Sequence, residues 1–103
     1  MERGSNTLTL TLKRKPFEVM VTSEKMVEFR KPSQWIISRL ENPKWKFIEF
    51  RNGYRASSPS FKVPYLGYTV AAEDEVERYS NGLEVRIKAG DIIIFLGKVI
   101  PYD

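Results

Sequence analysis

From Thr7 to Leu12 the chain reads TLTLTL, an unbroken alternation. Side chains on an extended backbone point to opposite faces in turn, so Leu8, Leu10 and Leu12 share one face and Thr7, Thr9 and Thr11 the other. Such a segment is a half-buried strand, and it commits the fold to a sheet with one apolar face. The alternation returns in LEVRIK, with Leu83, Val85 and Ile87 inward. Near the end, DIIIFLG gathers five apolar residues and reads as the most buried strand. No apolar run approaches the roughly eighteen residues that a membrane span needs.

Between these anchors the pattern is interrupted often. Phe17, Met20 and Val21 recur at helical spacing after Pro16, which predicts a short helix over 16–22. KMVEFR, beginning at Lys25, reads as the second strand. Ser33 suits the N-cap of a second helix whose buried face is Ile36, Ile37 and Leu40, closed by ENP at 41–43. KWKFIEFR is an aromatic-rich strand, and Asn52–Gly53 after it is the pair that a type I′ hairpin turn favours. FKVPYLGYTV changes phase beside Pro64 and Gly67, so a bulge or an edge is expected there. AAEDEVERYS reads as a short acidic helix or loop, and Asn81–Gly82 as another turn. The sum is about five to seven short strands with two or three short helices. That is an α+β domain, and so many short strands favour a small barrel.

At 103 residues and 42% apolar, the chain is expected to form one domain over 1–103 with a modest core. Its opening, MERGSNTLTL, lacks the apolar stretch of a signal peptide, which points to the cytoplasm; a monomer without a membrane partner is expected. Cysteine and histidine are both absent. Disulfides, thiolate or imidazole metal sites, and nucleophile systems built on Ser-His-Asp or Cys-His are thereby excluded. Any catalysis must draw on Lys, Asp, Glu, Tyr, Ser or Thr, and no cofactor or metal is implied. The acidic run Glu73, Asp74, Glu75, Glu77 lacks the spacing of a calcium loop and reads as a solvated segment.

Charge is unevenly spread. Residues 1–55 carry twelve Lys or Arg against six Asp or Glu, whereas residues 56–103 carry five against seven, so the net charge of +4 originates in the first half. A basic half fits an anionic partner, here RNA or a nucleotide-like small molecule. Within it, SEKMVEFRKP gathers Lys25, Glu28 and Arg30, with Glu28 and Arg30 on one strand face and Val27 and Phe29 on the other. The trio reads either as a solvated strand face with a cross-strand salt bridge or as a site. In a site, Arg30 would clamp an anion, and Lys25 would trade a proton beside Glu28 in a partly dry pocket. Lys13 and Lys15 share one strand parity just before the first helix, and either draw phosphate to the mouth of that site or end a solvated strand. FRNGY offers Arg51 as a fork donor, Asn52 as an amide and Tyr54 as a stacking ring. Trp45 lies between Lys44 and Lys46, a further basic and aromatic interleaving, whereas Trp35 lies beside the stripe of the second helix.

The run LTLKRKPFEVMVTSEKMVEFRKP resembles the opening of the ASCH domain family, relatives of the PUA RNA-binding fold. That family shows a motif of the form G-x-K-x-x-E-x-R. Here Lys25, Glu28 and Arg30 match, and Ser23 stands where the family has glycine. IKAGDIIIFLG resembles the family's K-x-G-D-x-I-x-F hairpin through Lys88, Gly90 and Asp91. The resemblance covers these two anchors and not residues 31–82. It implies a PUA-like β-barrel with helices packed outside, and a cleft near the motif suited to RNA or a nucleotide-like ligand. Some members hydrolyse an amide on an acylated nucleoside with lysine and acidic residues; others bind RNA or serve in transcriptional coactivation. Three readings follow for this chain. The first is RNA or nucleotide binding through Lys13, Lys15, Lys25, Glu28, Arg30, Arg51, Asn52 and Tyr54. The second is a metal-free amidohydrolase with Lys25 and Glu28 as its catalytic pair. The third is a protein-interaction module of viral or mobile-element origin, whose mark would be an apolar patch around Trp35.

Overall fold

The computed structural model describes residues 6–101. Met1–Ser5, part of the opening that reads as leaderless, lie outside the described residues, as do residues 102–103. Seven strands and two helices follow in the order β1 (Thr7–Thr11), α1 (Arg14–Met20), β2 (Val27–Arg30), α2 (Gln34–Leu40), β3 (Phe47–Arg51), β4 (Ser60–Val70), β5 (Glu75–Arg78), β6 (Glu84–Ile87) and β7 (Ile92–Leu96). One mixed sheet has the order β1-β3-β4-β7-β2, with β1 parallel to β3 and the other pairs antiparallel; β5 and β6 form a separate hairpin. The architecture is α+β, as expected.

Period-two alternation builds the core. Leu8 and Leu10 lie opposite Ile48 and Phe50, which in turn lie opposite Val63 and Phe61, and all six are buried. β4 then slips register between Tyr65 and Tyr68, beside Gly67, and changes partner from β3 to β7. A bulge bends and twists its strand, so this slip lets one long strand serve two ladders while the sheet curls. Ile92, Ile94 and Leu96 continue the apolar face, and α1 and α2 cover it with Met20, Ile36 and Leu40. Phe17 of α1 meets Phe61 edge-on at 5.1 Å. Ser33 caps α2, its hydroxyl accepting from the Ile36 amide at 3.2 Å.

Several elements differ from expectation. The barrel is not closed: β1 and β2 are the two edges of the sheet and share no ladder. β2 is four residues long, and Pro32 just beyond it has no N–H to extend pairing. A side chain spans the seam instead, with Arg30 Nη2 donating to the Thr11 carbonyl at 2.7 Å. Asn52–Gly53 is not a type I′ hairpin, because Asn52 lacks the positive φ such a turn needs. The β3–β4 loop is closed by the Asn52 amide donating to the Pro59 carbonyl at 2.9 Å. Gly53 itself sits at φ 135, where an L side chain is strained, and a Cβ on it would also lie 2.5 Å from Ser58 Oγ.

AAEDEVERYS contains β5 and no helix. Pairing sets Glu75 and Glu77 opposite the apolar Ile87 and Val85, and Arg78 opposite Glu84, which lies 3.8 Å from Arg78 across the ladder and 2.7 Å from Arg86 on its own strand. Asn81–Gly82 does form the turn of this hairpin, with Gly82 N donating to the Tyr79 carbonyl at 3.0 Å. α1 starts at Arg14 and ends at Met20; Val19 takes the buried place expected of Val21, which is exposed at the C-cap. β7 is the most buried strand, as expected, with Ile92, Ile94 and Leu96 in the core and Phe95 exposed. Among the described residues no helix is long and apolar enough to cross a membrane.

Candidate functional site

The β2–β7 ladder decides which way the Lys25-Glu28-Arg30 trio faces. Glu28 lies opposite Ile94 and Arg30 opposite Ile92, both core residues, whereas Val27 and Phe29 lie opposite Phe95 and Ile93. Directly opposed residues project to the same face of a sheet. The charged parity therefore faces inward, and the solvated strand face does not describe it. The side chains of Lys25 and Glu28 are 1% and 8% exposed.

Lys25 precedes the strand instead of opening it, since β2 begins at Val27. Its amide donates to the Val19 carbonyl at 2.9 Å, tying the segment to the end of α1. The turn between them places Ser23 at φ 66, the one positive φ outside glycine among the described residues. L side chains are disfavoured there, which is why glycine suits this position. Ser23 adopts the same geometry, and its hydroxyl accepts from the Val99 amide at 3.1 Å.

Hydrogen bonds lock the trio. Lys25 Nζ donates to the Val27 carbonyl, to Glu28 Oε1 at 3.3 Å and to Met20 Sδ at 3.7 Å, and it lies 5.1 Å from the Phe29 ring centroid. Glu28 Oε2 accepts from Arg30 Nε at 2.8 Å. Burial pushes the Lys25 pKa below its ordinary value; Glu28 opposes that through charge and hydrogen bond, and Arg30 adds to it. Arg30 commits Nε and Nη2 to Glu28 and Thr11, so its guanidinium is fixed in plane and direction.

Around this trio opens a cleft of about 730 Å³, within the range of small-molecule sites. Its walls are the end of β1 with the start of α1, residues 28–31, residues 52–54 and Val85 of the hairpin. Lys13, Lys25, Arg30 and Lys31 line it against the single carboxylate of Glu28. Asn52 Nδ2 donates to the Leu12 carbonyl at 3.0 Å, which fixes its amide, and Tyr54 is 92% exposed at the rim.

The structure thus brings together Lys13, Lys25, Glu28, Arg30, Asn52 and Tyr54. Lys15 and Arg51 are not in the lining. Residues from Arg14 onward are helical, so the strand parity linking Lys13 to Lys15 does not apply; Lys15 Nζ lies beside Gly82 of the hairpin turn. Arg51 shares the β3 face of Phe47 and Glu49, opposite the core, and its Nη2 lies 3.4 Å from Glu49 Oε1. Its Nε is buried without a partner.

Sequence reasoning missed Lys31, Phe29 and Val85. Lys31 Nζ contacts both oxygens of Asp91, at 3.2 and 3.1 Å, sixty residues away in the chain. Asp91 also accepts from the Lys88 amide at 2.9 Å, and this bond first, then Lys31, holds its carboxyl below the usual range. The KAGD turn is therefore tied to the cleft wall, a link that no local spacing reveals. Trp45 packs against the core with Lys44 Nζ 4.5 Å from its ring. Trp35 is exposed, but Arg39 stacks on its ring at 3.9 Å, so it does not stand as a bare apolar patch. Among the described residues no group of three or more carboxylates is placed to hold a metal ion.

Fold and site together define an α+β domain with a basic, aromatic-rimmed cleft at the unpaired seam of its sheet. No family model, curated protein or solved structure matches the chain.

Proposed function

We propose that this is an RNA- or nucleotide-binding domain of the ASCH, PUA-like kind, with the seam cleft as its ligand site. The observation that carries the reading is Arg30, a guanidinium held in fixed orientation by Glu28 and the Thr11 carbonyl, with Lys13 and Lys31 lining the same cleft. A pre-organised fork among cations suits phosphate, because its donors are aligned before the ligand arrives. Tyr54 supplies a ring on which a base stacks, and Asn52 an amide at its edge. Lys25 directs its three protons at protein acceptors and serves the ligand by holding Glu28, not by touching phosphate. In this reading the sheet is an open variant of the PUA-like barrel, its β1 and β2 edges bridged by the Arg30 side chain.

An NMR titration tests it, with nucleoside 5′-monophosphates, the matching unphosphorylated nucleosides and a short single-stranded RNA. Saturable shifts at 28–31 and 52–54 with the phosphorylated ligands are expected. Shifts confined to other residues, or equal shifts with and without phosphate, would contradict it.

The amidohydrolase reading draws on one observation, the buried Lys25 with its lowered pKa beside a carboxylate. Lys25 would act as the base toward water and Glu28 would assist, once Nζ leaves its present acceptors. Loss of turnover on an acylated nucleoside in a folded Lys25→Ala variant supports this reading, and absence of turnover across a panel of such nucleosides ends it.

A further inference from the structure

We infer that the β5–β6 hairpin is a hinged flap over the cleft, and that its opening is what exposes Lys25. The hairpin shares no ladder with the five-stranded sheet, and none of its residues belongs to the core cluster. Within its two strands only Ile87, at the base, is buried. A two-stranded hairpin is marginal on its own, so what holds this one in place is its docking. That docking is polar and concentrated at the tip. Glu24 accepts from the Ser80 amide at 2.8 Å and from its hydroxyl at 2.5 Å, and Asn81 Nδ2 donates to the Lys15 carbonyl and to Glu18, both at 3.0 Å.

These contacts are all exposed, and exposed hydrogen bonds exchange readily with water, so the tip releases at low cost. The base is fixed more firmly. Ala71 N donates to the Asp91 carbonyl at 2.8 Å and Gly90 N to the Ala71 carbonyl at 2.9 Å, which makes this end the pivot. The underside covers the site: Val85 lines the cleft, and the Tyr79 ring centroid lies 5.9 Å from Lys25 Nζ. Lys25 is therefore enclosed from below by the body and from above by the flap.

The purpose of the flap rests on the cleft being the ligand site, but its motion is measurable without any ligand. Amine acylation in native buffer, read by peptide mass spectrometry, compares Lys25 with exposed Lys13 as internal reference. Glu24→Ala removes the latch and is expected to raise Lys25 labelling about tenfold, the effect of weakening a local closure by about 1.4 kcal/mol. Lys13 labelling and amide protection in β1 and β3 should stay unchanged. The pair Glu24→Cys and Ser80→Cys gives the converse, and the chain has no other cysteine to confuse it. Its oxidised form should suppress Lys25 labelling and its reduced form restore it. Lys25 labelling that is the same oxidised and reduced, and that tracks exchange of the β3 core amides, would overturn the flap. The oxidised and reduced comparison decides the matter even if Glu24→Ala loses global stability. A failed ligand titration leaves all of these outcomes readable.

Discussion

Glu28 is shared by two cations, and that sharing sets what each member of the trio is worth. Removing the acid leaves the nearly inaccessible Lys25 ammonium and the half-buried Arg30 without a counter-charge. Glu28→Ala should cost about 3–5 kcal/mol in urea denaturation, the range for breaking a buried pair from one side. Lys25→Met leaves Glu28 still bonded to Arg30 and should cost only about 1 kcal/mol. Equal losses in the two variants would mean that Arg30 does not hold Glu28 as described.

Proton linkage gives a second check on the same lysine. Because Lys25 binds its proton less tightly folded than unfolded, the unfolded chain carries the extra proton between the lowered folded value and the ordinary 10.5. The stability contribution of this group is therefore least favourable below that window and rises as pH climbs through it. The difference between wild type and Lys25→Met should shift toward the wild type as denaturation is repeated from pH 7 toward pH 10. A flat difference would contradict the burial. The sequence alone showed that Glu28 and Arg30 share a face but not which face, since only pairing with Ile94 and Ile92 decides it.

At the scale of elements, α1 is built against its own electrostatics. It opens on Lys13, Arg14 and Lys15, with no side-chain cap and no acid in the first turn. Cations at a helix N-terminus oppose the macrodipole, and a carboxylate at the N-cap would both cap and complement it. Lys13→Asp should raise stability by about 1 kcal/mol while weakening binding of a phosphorylated ligand. A variant that is stabilised with unchanged affinity would remove Lys13 from the site.

Elements whose signal is local were legible in the chain. TLTLTL, the Ser33 cap and the phase slip near Gly67 each act through neighbours in sequence. β5 was not, because what makes it a strand is its pairing with 84–87, which sets Glu75 and Glu77 opposite Ile87 and Val85 across the hairpin. Asn52–Gly53 was misread for a similar reason: only Gly53 takes a positive φ, while the backbone N–H of Asn52 is held by the Pro59 carbonyl across the loop.

For the whole molecule, the consequence of the curled sheet is that its two edges meet at a charged side chain. The number of elements, and the type of all but β5, followed from pattern, whereas the open seam depends on strand order and on where β2 runs out. Lys15 and Arg51 were assigned to the site by proximity in sequence, and the fold turns them elsewhere. Lys31 was overlooked because its tie to Asp91 spans sixty residues.

The basic cleft as a phosphate site is the central claim, and salt dependence tests it most directly. Affinity for a short single-stranded RNA should fall with rising salt along a log–log slope of about −2, as about three cations (Lys13, Arg30 and Lys31) release counterions. Lys13→Ala should make that slope shallower by about 0.7, at retained stability. Affinity that stays flat as salt rises, or a slope that Lys13→Ala leaves unchanged, would contradict the assignment.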